Sequence, residues 1–149
     1  MERILVADDG SEPALKAVGI AAELAAKTGS ELIALAVIDP NRVSAADILN
    51  FARAAKVDDG QALENLVAAS TGHLDRCQEA ATRANVESFH RVRRDGSDAA
   101  LEIIDAAHAY NVDLIVVGCR GRSRLSGLLL GSVSQKLACH APCPVPIAR

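Results

Sequence analysis

Short aliphatic runs alternate with helix-length, alanine-striped segments along the whole chain, and this alternation constrains the fold more than any other feature. The first run, Arg3-Ile4-Leu5-Val6-Ala7, stops at the turn cluster Asp8-Asp9-Gly10-Ser11. Ser11 is placed to cap a helix with Glu12 and Pro13 in its first turn, where the missing proline N–H costs nothing. Ala14, Leu15, Ala17, Val18, Ala21, Ala22 and Ala25 carry that helix to a stop at Gly29. Its stripe is mostly alanine, so it should lie close against a sheet. Residues 31–38 form a second strand, and their unbroken Leu-Ile-Ala-Leu-Ala-Val-Ile run predicts burial on both faces, as in a parallel sheet. The segment 40–60 is ambiguous, with a short helix over 45–55 and the break Asp58-Asp59-Gly60, and one long helix is expected over about 60–84. Residues 87–93 alternate and carry charge, which suits an edge strand. Ser97 or Asp98 caps a helix holding Leu101, Ile103, Ile104 and Ala107. Asp113-Leu114-Ile115-Val116-Val117 is a fourth strand ending at Gly118, and a helix over 131–140 and a strand over 144–148 close the chain. Five strands joined by helices predict one α/β domain over 1–149, a doubly wound five-stranded parallel sheet with helices on both faces.

With two Phe, one Tyr and no Trp, the core of such a sheet has to be aliphatic and alanine-rich. The balance of 16 Lys plus Arg against 19 Asp plus Glu argues against a nucleic-acid binder that neutralises phosphates with a basic excess. No window approaches the roughly 18 apolar residues of a membrane span. Met1-Glu2-Arg3 leads directly into a strand, which leaves no room for a signal peptide, so a cytoplasmic protein is expected. In that compartment Cys77, Cys119, Cys139 and Cys143 are expected as free thiols.

Chemistry concentrates after the fourth strand. Gly118 and Gly121 give a turn where a backbone without Cβ can approach a ligand closely. Arg120, Arg122 and Arg124 gather positive charge in a mildly acidic chain. Gly131-Ser132 then opens a helix whose first N–H groups have no intrahelical acceptor and whose dipole end is positive. Together these features describe an anion cradle. The same residues also suit an ordinary βα turn with a solvated arginine loop, and the residues alone leave both readings open. The segment is not a P-loop, because no Gly-Lys-Ser/Thr follows a glycine run, and Gly-x-Gly-x-x-Gly is absent.

The spacing of Gly118, two residues, Gly121, nine residues and Gly131-Ser132 resembles the nucleotide-binding motif of the universal stress proteins, Gly-x2-Gly-x9-Gly-Ser/Thr. Ile4-Leu5-Val6-Ala7-Asp8-Asp9-Gly10-Ser11-Glu12 is similar to the family's first strand and its Asp-Gly-Ser-Glu turn. Residues 113–121, 128–134 and Cys143-Pro144-Val145 are similar to further family blocks, so the resemblance covers the whole chain.

The resemblance implies the strand order 3-2-1-4-5, which reverses between the first and fourth strands. Ligands of open α/β sheets bind outside the carboxyl ends at such a point. It also implies an ATP-binding regulatory or stress-response module. A slow ATPase or autophosphorylating enzyme with Ser132 or Ser134 as acceptor, and a nucleotide-independent dimeric interaction protein, are the alternatives. By position, Ala7, Asp9 and Val37 would hold the adenosine of ATP, ADP or AMP, with Val117 as an aliphatic wall. Gly118 and Gly121 would let the backbone reach ribose and phosphates, and Gly131, Ser132 and Val133 would meet the phosphates. Arg120 and Arg122 are added from charge and proximity. Any Mg²⁺ would be held mainly by phosphates and water. Family members often form a homodimer through the last strand. Pro146 is expected to weaken that pairing because proline cannot donate to a ladder. A protein partner is implied without being identified.

Three weaker signals remain. Cys139, His140 and Cys143 lack a further ligand nearby for zinc. Cys119 beside Arg120 fits either a redox-sensitive thiol or a small residue in a serine-like place. Asp8 is expected to be solvated.

Overall fold

The computed structural model describes residues 1–120 and 130–149. Strand β1 (Arg3–Ala7) leads to helix α1 (Glu12–Thr28), and β2 (Glu31–Ile38) follows. A short 3-10 turn (Pro40–Arg42) then opens a run of three helices, α2 (Ala45–Ala55), α3 (Asp59–Ser70) and α4 (Leu74–Ala84). The remaining elements are β3 (Phe89–Asp95), α5 (Ala99–Ala109), β4 (Leu114–Gly118), α6 (Ser132–His140) and β5 (Ile147–Ala148). The sheet is five-stranded and parallel, in the order β3-β2-β1-β4-β5.

The apolar strands are sandwiched between two helical layers. Ile4 and Val6 of β1, with Leu32, Ala34 and Ala36 of β2, pack under α1 and α4. The alternate residues Leu5, Ile33 and Leu35 pack under α5 and α6. Both sides of the alternation are buried, which is why these strands read as continuous hydrophobic runs. Ala17, Ala21, Ala22 and Ala25 of α1 are at most 1% exposed, and their small side chains let the helix axis lie close to the sheet. Ser11 caps α1 through its hydroxyl and Gly29 ends it in the left-handed region at φ 64°, as the sequence predicts.

Four expectations need correction. The single helix over 60–84 is two helices. Thr71 ends α3 and gives its hydroxyl to the Ala68 carbonyl at 2.9 Å, competing with the helical ladder. The next amides, of Leu74, Asp75 and Arg76, bond only three residues back. With Gly72 at its centre, this segment turns the chain before α4 begins.

The last strand is also shorter than 144–148, with ladder pairing only at Ile147 and Ala148. Pro146 acts on a different side from the one expected. The carbonyls of Pro144, Pro146 and Ala148 accept from Ile115, Val117 and Cys119. In a parallel ladder a residue's N–H and C=O point to the same neighbour. Both prolines therefore lose their N–H toward β4, and the outer edge of β5 is formed by the alternate residues Val145 and Ile147.

The fourth correction, at Asp8, belongs to the site.

Candidate nucleotide site

The sheet order reverses between β1 and β4, so the turns leaving these two strands diverge to opposite faces and frame a crevice at their carboxyl ends. Ala7, Val37 and Val117 stand on one face of neighbouring strands, the face covered by α5 and α6. Val117 is buried, while Ala7 and Val37 are half-buried. They form a small aliphatic shelf where β1, β2 and β4 end.

Asp9 sits in the turn above this shelf. Its Oδ1 accepts the Ser11 amide at 2.9 Å, an Asx-turn. Gly10 occupies φ 85°, a conformation that disfavours any side chain.

Asp8 is where sequence reasoning missed the chemistry. It is 2% exposed, not solvated. Ile4, Val6 and Asp8 alternate onto the α1/α4 face, and the carboxylate meets α4. Arg76 grips it with a fork, Nε reaching Oδ2 at 3.0 Å and Nη2 reaching Oδ1. The same guanidinium donates from Nη2 to the Ser11 carbonyl at 3.1 Å and from Nη1 to the Gly10 carbonyl at 3.5 Å. The Gly10 amide and the Cys77 thiol donate to the Asp8 carboxylate at 3.0 and 3.2 Å. His73 bonds the Asp8 carbonyl at 2.8 Å, and because a carbonyl only accepts, the His73 proton is on Nε2.

Burial alone would push the Asp8 pKa up. The hydrogen bonds from Arg76, Gly10 and Cys77, together with the Arg76 charge, outweigh it and hold the carboxyl below its ordinary value. Burial, then the Asp8 charge, pushes the Cys77 thiol far above the usual thiol range, so it stays protonated as a donor. The period-2 pattern running from Ile4 through Val6 to Asp8 was the available signal that this acid is buried.

The second turn is built differently. A Cβ on Gly118 would stand 2.7 Å from the Pro13 carbonyl carbon and 2.8 Å from the Ala14 nitrogen. The glycine thus admits the first turn of α1 against β4, a packing reason for its presence. Cys119 extends the ladder by donating its amide to Ala148 at 2.7 Å. Its carbonyl accepts the Gly131 amide at 2.7 Å and the Ser134 hydroxyl at 3.1 Å. These bonds bring the start of α6 back beside the end of β4.

Gly131 is the N-cap of α6, and its own N–H is engaged with Cys119. The amides of Ser132 and Val133 follow in the first turn, where no intrahelical carbonyl reaches them. Ser132 is exposed, whereas Ser134 is 3% exposed with its hydroxyl engaged, which leaves Ser132 as the accessible one of the two. Arg120 is exposed at the rim. Gly121 and Arg122 lie outside the described residues.

Among the described residues no group of three or more His, Cys, Asp and Glu is placed to hold a metal ion, and the four cysteines are free thiols. No helix among them is long and apolar enough to cross a membrane.

Comparison with known proteins places this geometry in a family. The model of the universal stress protein family matches residues 1–149. A universal stress protein of Staphylococcus haemolyticus is 31% identical over 148 residues, covering 99% of this chain and 84% of the relative. Among solved structures, the universal stress protein from Lactobacillus plantarum superposes with a TM-score of 0.80 at 23% identity, covering 99% of this chain and 97% of that one. The universal stress protein from Archaeoglobus fulgidus in complex with dAMP superposes with a TM-score of 0.65 at 22% identity, covering 100% and 98%.

Proposed function

The chain belongs to the universal stress protein family, and from that premise we propose that it binds an adenine nucleotide (ATP, ADP or AMP) and acts as a nucleotide-dependent regulatory module. The observation that carries this reading is the meeting of three unlike surfaces at one end of the sheet. An aliphatic shelf of Ala7, Val37 and Val117 suits a purine face, Asp9 suits a donor on adenine or ribose, and the amides of Ser132 and Val133 at the positive end of α6 suit phosphate oxygens. That a structural neighbour holds dAMP supports an adenine ligand. Arg120 and Arg122 would add charge beside the phosphates. A Mg²⁺ ion, where present, would be held by phosphate oxygens and water.

Among the described residues the polar groups here are the amides of Ser132 and Val133, the Ser132 hydroxyl, the Asp9 carboxylate and the Arg120 guanidinium, a set that suits binding better than turnover. Homodimerisation through β5 belongs to the same reading. Since both prolines face β4, the outer edge at Val145 and Ile147 keeps the backbone groups that a second copy would pair with.

Isothermal titration of the wild type with ATP, ADP, AMP and adenosine tests the proposal. Saturable one-site binding is expected, with Kd on the order of 1–100 μM. Arg120→Ala should weaken ATP more than adenosine, and Asp9→Ala should weaken all four ligands alike. Absence of nucleotide binding by the wild type would overturn the reading.

A further inference from the structure

The Asp8–Arg76 pair is more than the fold requires. A buried ion pair costs desolvation on both partners, and a well-packed apolar pair of similar size commonly stabilises a core as well or better. Its place is also specific. It closes the α1/α4 layer directly beneath the turn that presents Asp9, and the contacts of α4 bracket that residue on both sides. His73 and Arg76 hold residue 8 through its carbonyl and its carboxylate, and Arg76 holds the carbonyls of residues 10 and 11. Asp9 itself is bonded within the turn, to the Ser11 amide. One guanidinium thus holds the side chain before the candidate ligand residue and the backbone after it, from a position sixty-eight residues beyond Asp8.

We propose that Arg76, acting through Asp8 and the carbonyls of Gly10 and Ser11, is a positioning residue for nucleoside recognition that sets where the Asp9 carboxylate meets the adenosine. The inference rests on the adenine-nucleotide reading above. Arg76 does not touch the ligand. Its planar fork orders the turn in advance, so that binding does not have to order it.

The test uses the full chain and three variants, Arg76→Lys, Arg76→Met and the double variant Asp8→Val/Arg76→Leu. Titration with adenosine, AMP and ATP is read beside urea denaturation and hydrogen exchange of the 8–11 backbone. The double variant is expected to be about as stable as the wild type, since the buried charges leave together. Adenosine, AMP and ATP should each bind it roughly tenfold more weakly, the size of one lost hydrogen bond to a charged group. The loss should be equal for the three, because the turn serves the nucleoside and not the phosphates. The 8–11 amides should exchange faster in Arg76→Met, and Arg76→Lys should recover only part of the affinity, keeping the charge without the fork.

A folded double variant with wild-type affinity would reduce the pair to a structural role and overturn the inference. So would a loss confined to ATP. A wild type that binds none of the three ligands instead removes the nucleotide reading, and this inference falls with it.

Discussion

The two turns that frame the crevice leave neighbouring parallel strands, yet they are held in opposite ways. The turn after β1 is held by side chains from the start of a distant helix and the residue before it: Arg76, Cys77 and His73 all reach Asp8, and Arg76 goes on to Gly10 and Ser11. Among the described residues, the two ends of the turn after β4 are joined mainly through backbone. Cys119 donates to Ala148 and accepts from Gly131, with one hydroxyl, that of Ser134, added. On the proposed function, the difference follows from what each turn would present to the nucleotide. A carboxylate aimed at a nucleoside has to be oriented, which takes fixed partners. Main-chain amides aimed at phosphate are oriented already by the helix that carries them, and they need only a return path to the strand.

The strongest test of this contrast is to remove the clamp from the first turn. In Arg76→Met the Asp8 carboxylate stays buried without its cation. The expected loss is about 3–5 kcal/mol near neutral pH, toward the lower end because the Arg76 side chain is 24% exposed. The pH dependence carries a sign. In the wild type the folded pKa of Asp8 lies below its ordinary value of 3.8. The contribution of the pair is therefore present above that value and lost as pH falls through the folded pKa. In Arg76→Met burial dominates, the folded pKa rises, and the penalty shrinks on acidification as Asp8 takes a proton. Urea denaturation of both proteins at pH values from neutral down to the carboxylate range should show the two curves converging. Parallel curves would mean that Arg76 does not hold the Asp8 charge.

The contrast also explains what the sequence revealed and what it hid. The end of β4 at Gly118 and the start of α6 at Gly131-Ser132 were legible because their signals are local to one stretch of chain. The α1 boundaries were legible for the same reason, since Ser11 and Gly29 act on their own helix. The clamp was not legible. Nothing within the helix 74–84 marks Arg76 as different from any surface arginine, and only the register of β1 against α4 makes it a partner of Asp8. Thr71-Gly72 was a signal for the break between α3 and α4, outweighed by flanking alanines and leucines that suit one helix as well as two. The side on which Pro146 lacks its donor depends on the ladder of β5 with β4, which periodicity does not encode. Strand order came from the family resemblance, since a hydrophobic pattern names strands and not their neighbours.

Gly118→Ala tests the second turn at its tightest point. A new methyl within 3 Å of the α1 backbone has to push helix and strand apart, and backbone cannot rotate away as a side chain can. A loss of about 1–3 kcal/mol is expected in urea denaturation, whether or not nucleotide is present. If stability were instead unchanged and only nucleotide binding lost, this glycine would serve the ligand and not the contact of α1 with β4. The second turn would then resemble the first in being shaped for recognition.

The smallest expected effects separate two serines two residues apart on the same helix. Ser134→Ala removes the hydroxyl bond to the Cys119 carbonyl, but the Gly131 amide still satisfies that oxygen. No buried acceptor is left without a partner, so the cost should be about 1 kcal/mol, the net value of one hydrogen bond. Ser132 makes no such closure and is exposed, and its replacement by alanine should fall within about 0.5 kcal/mol. On the proposed function the order reverses for ATP affinity: Ser132→Ala would remove a hydroxyl available to the phosphates, while Ser134→Ala would leave that face intact. Thermal denaturation read beside ATP titration distinguishes the two roles. If Ser132→Ala proved the costlier for stability, the backbone closure assigned to Ser134 would not be what holds this turn, and the contrast with the side-chain clamp would lose its second term.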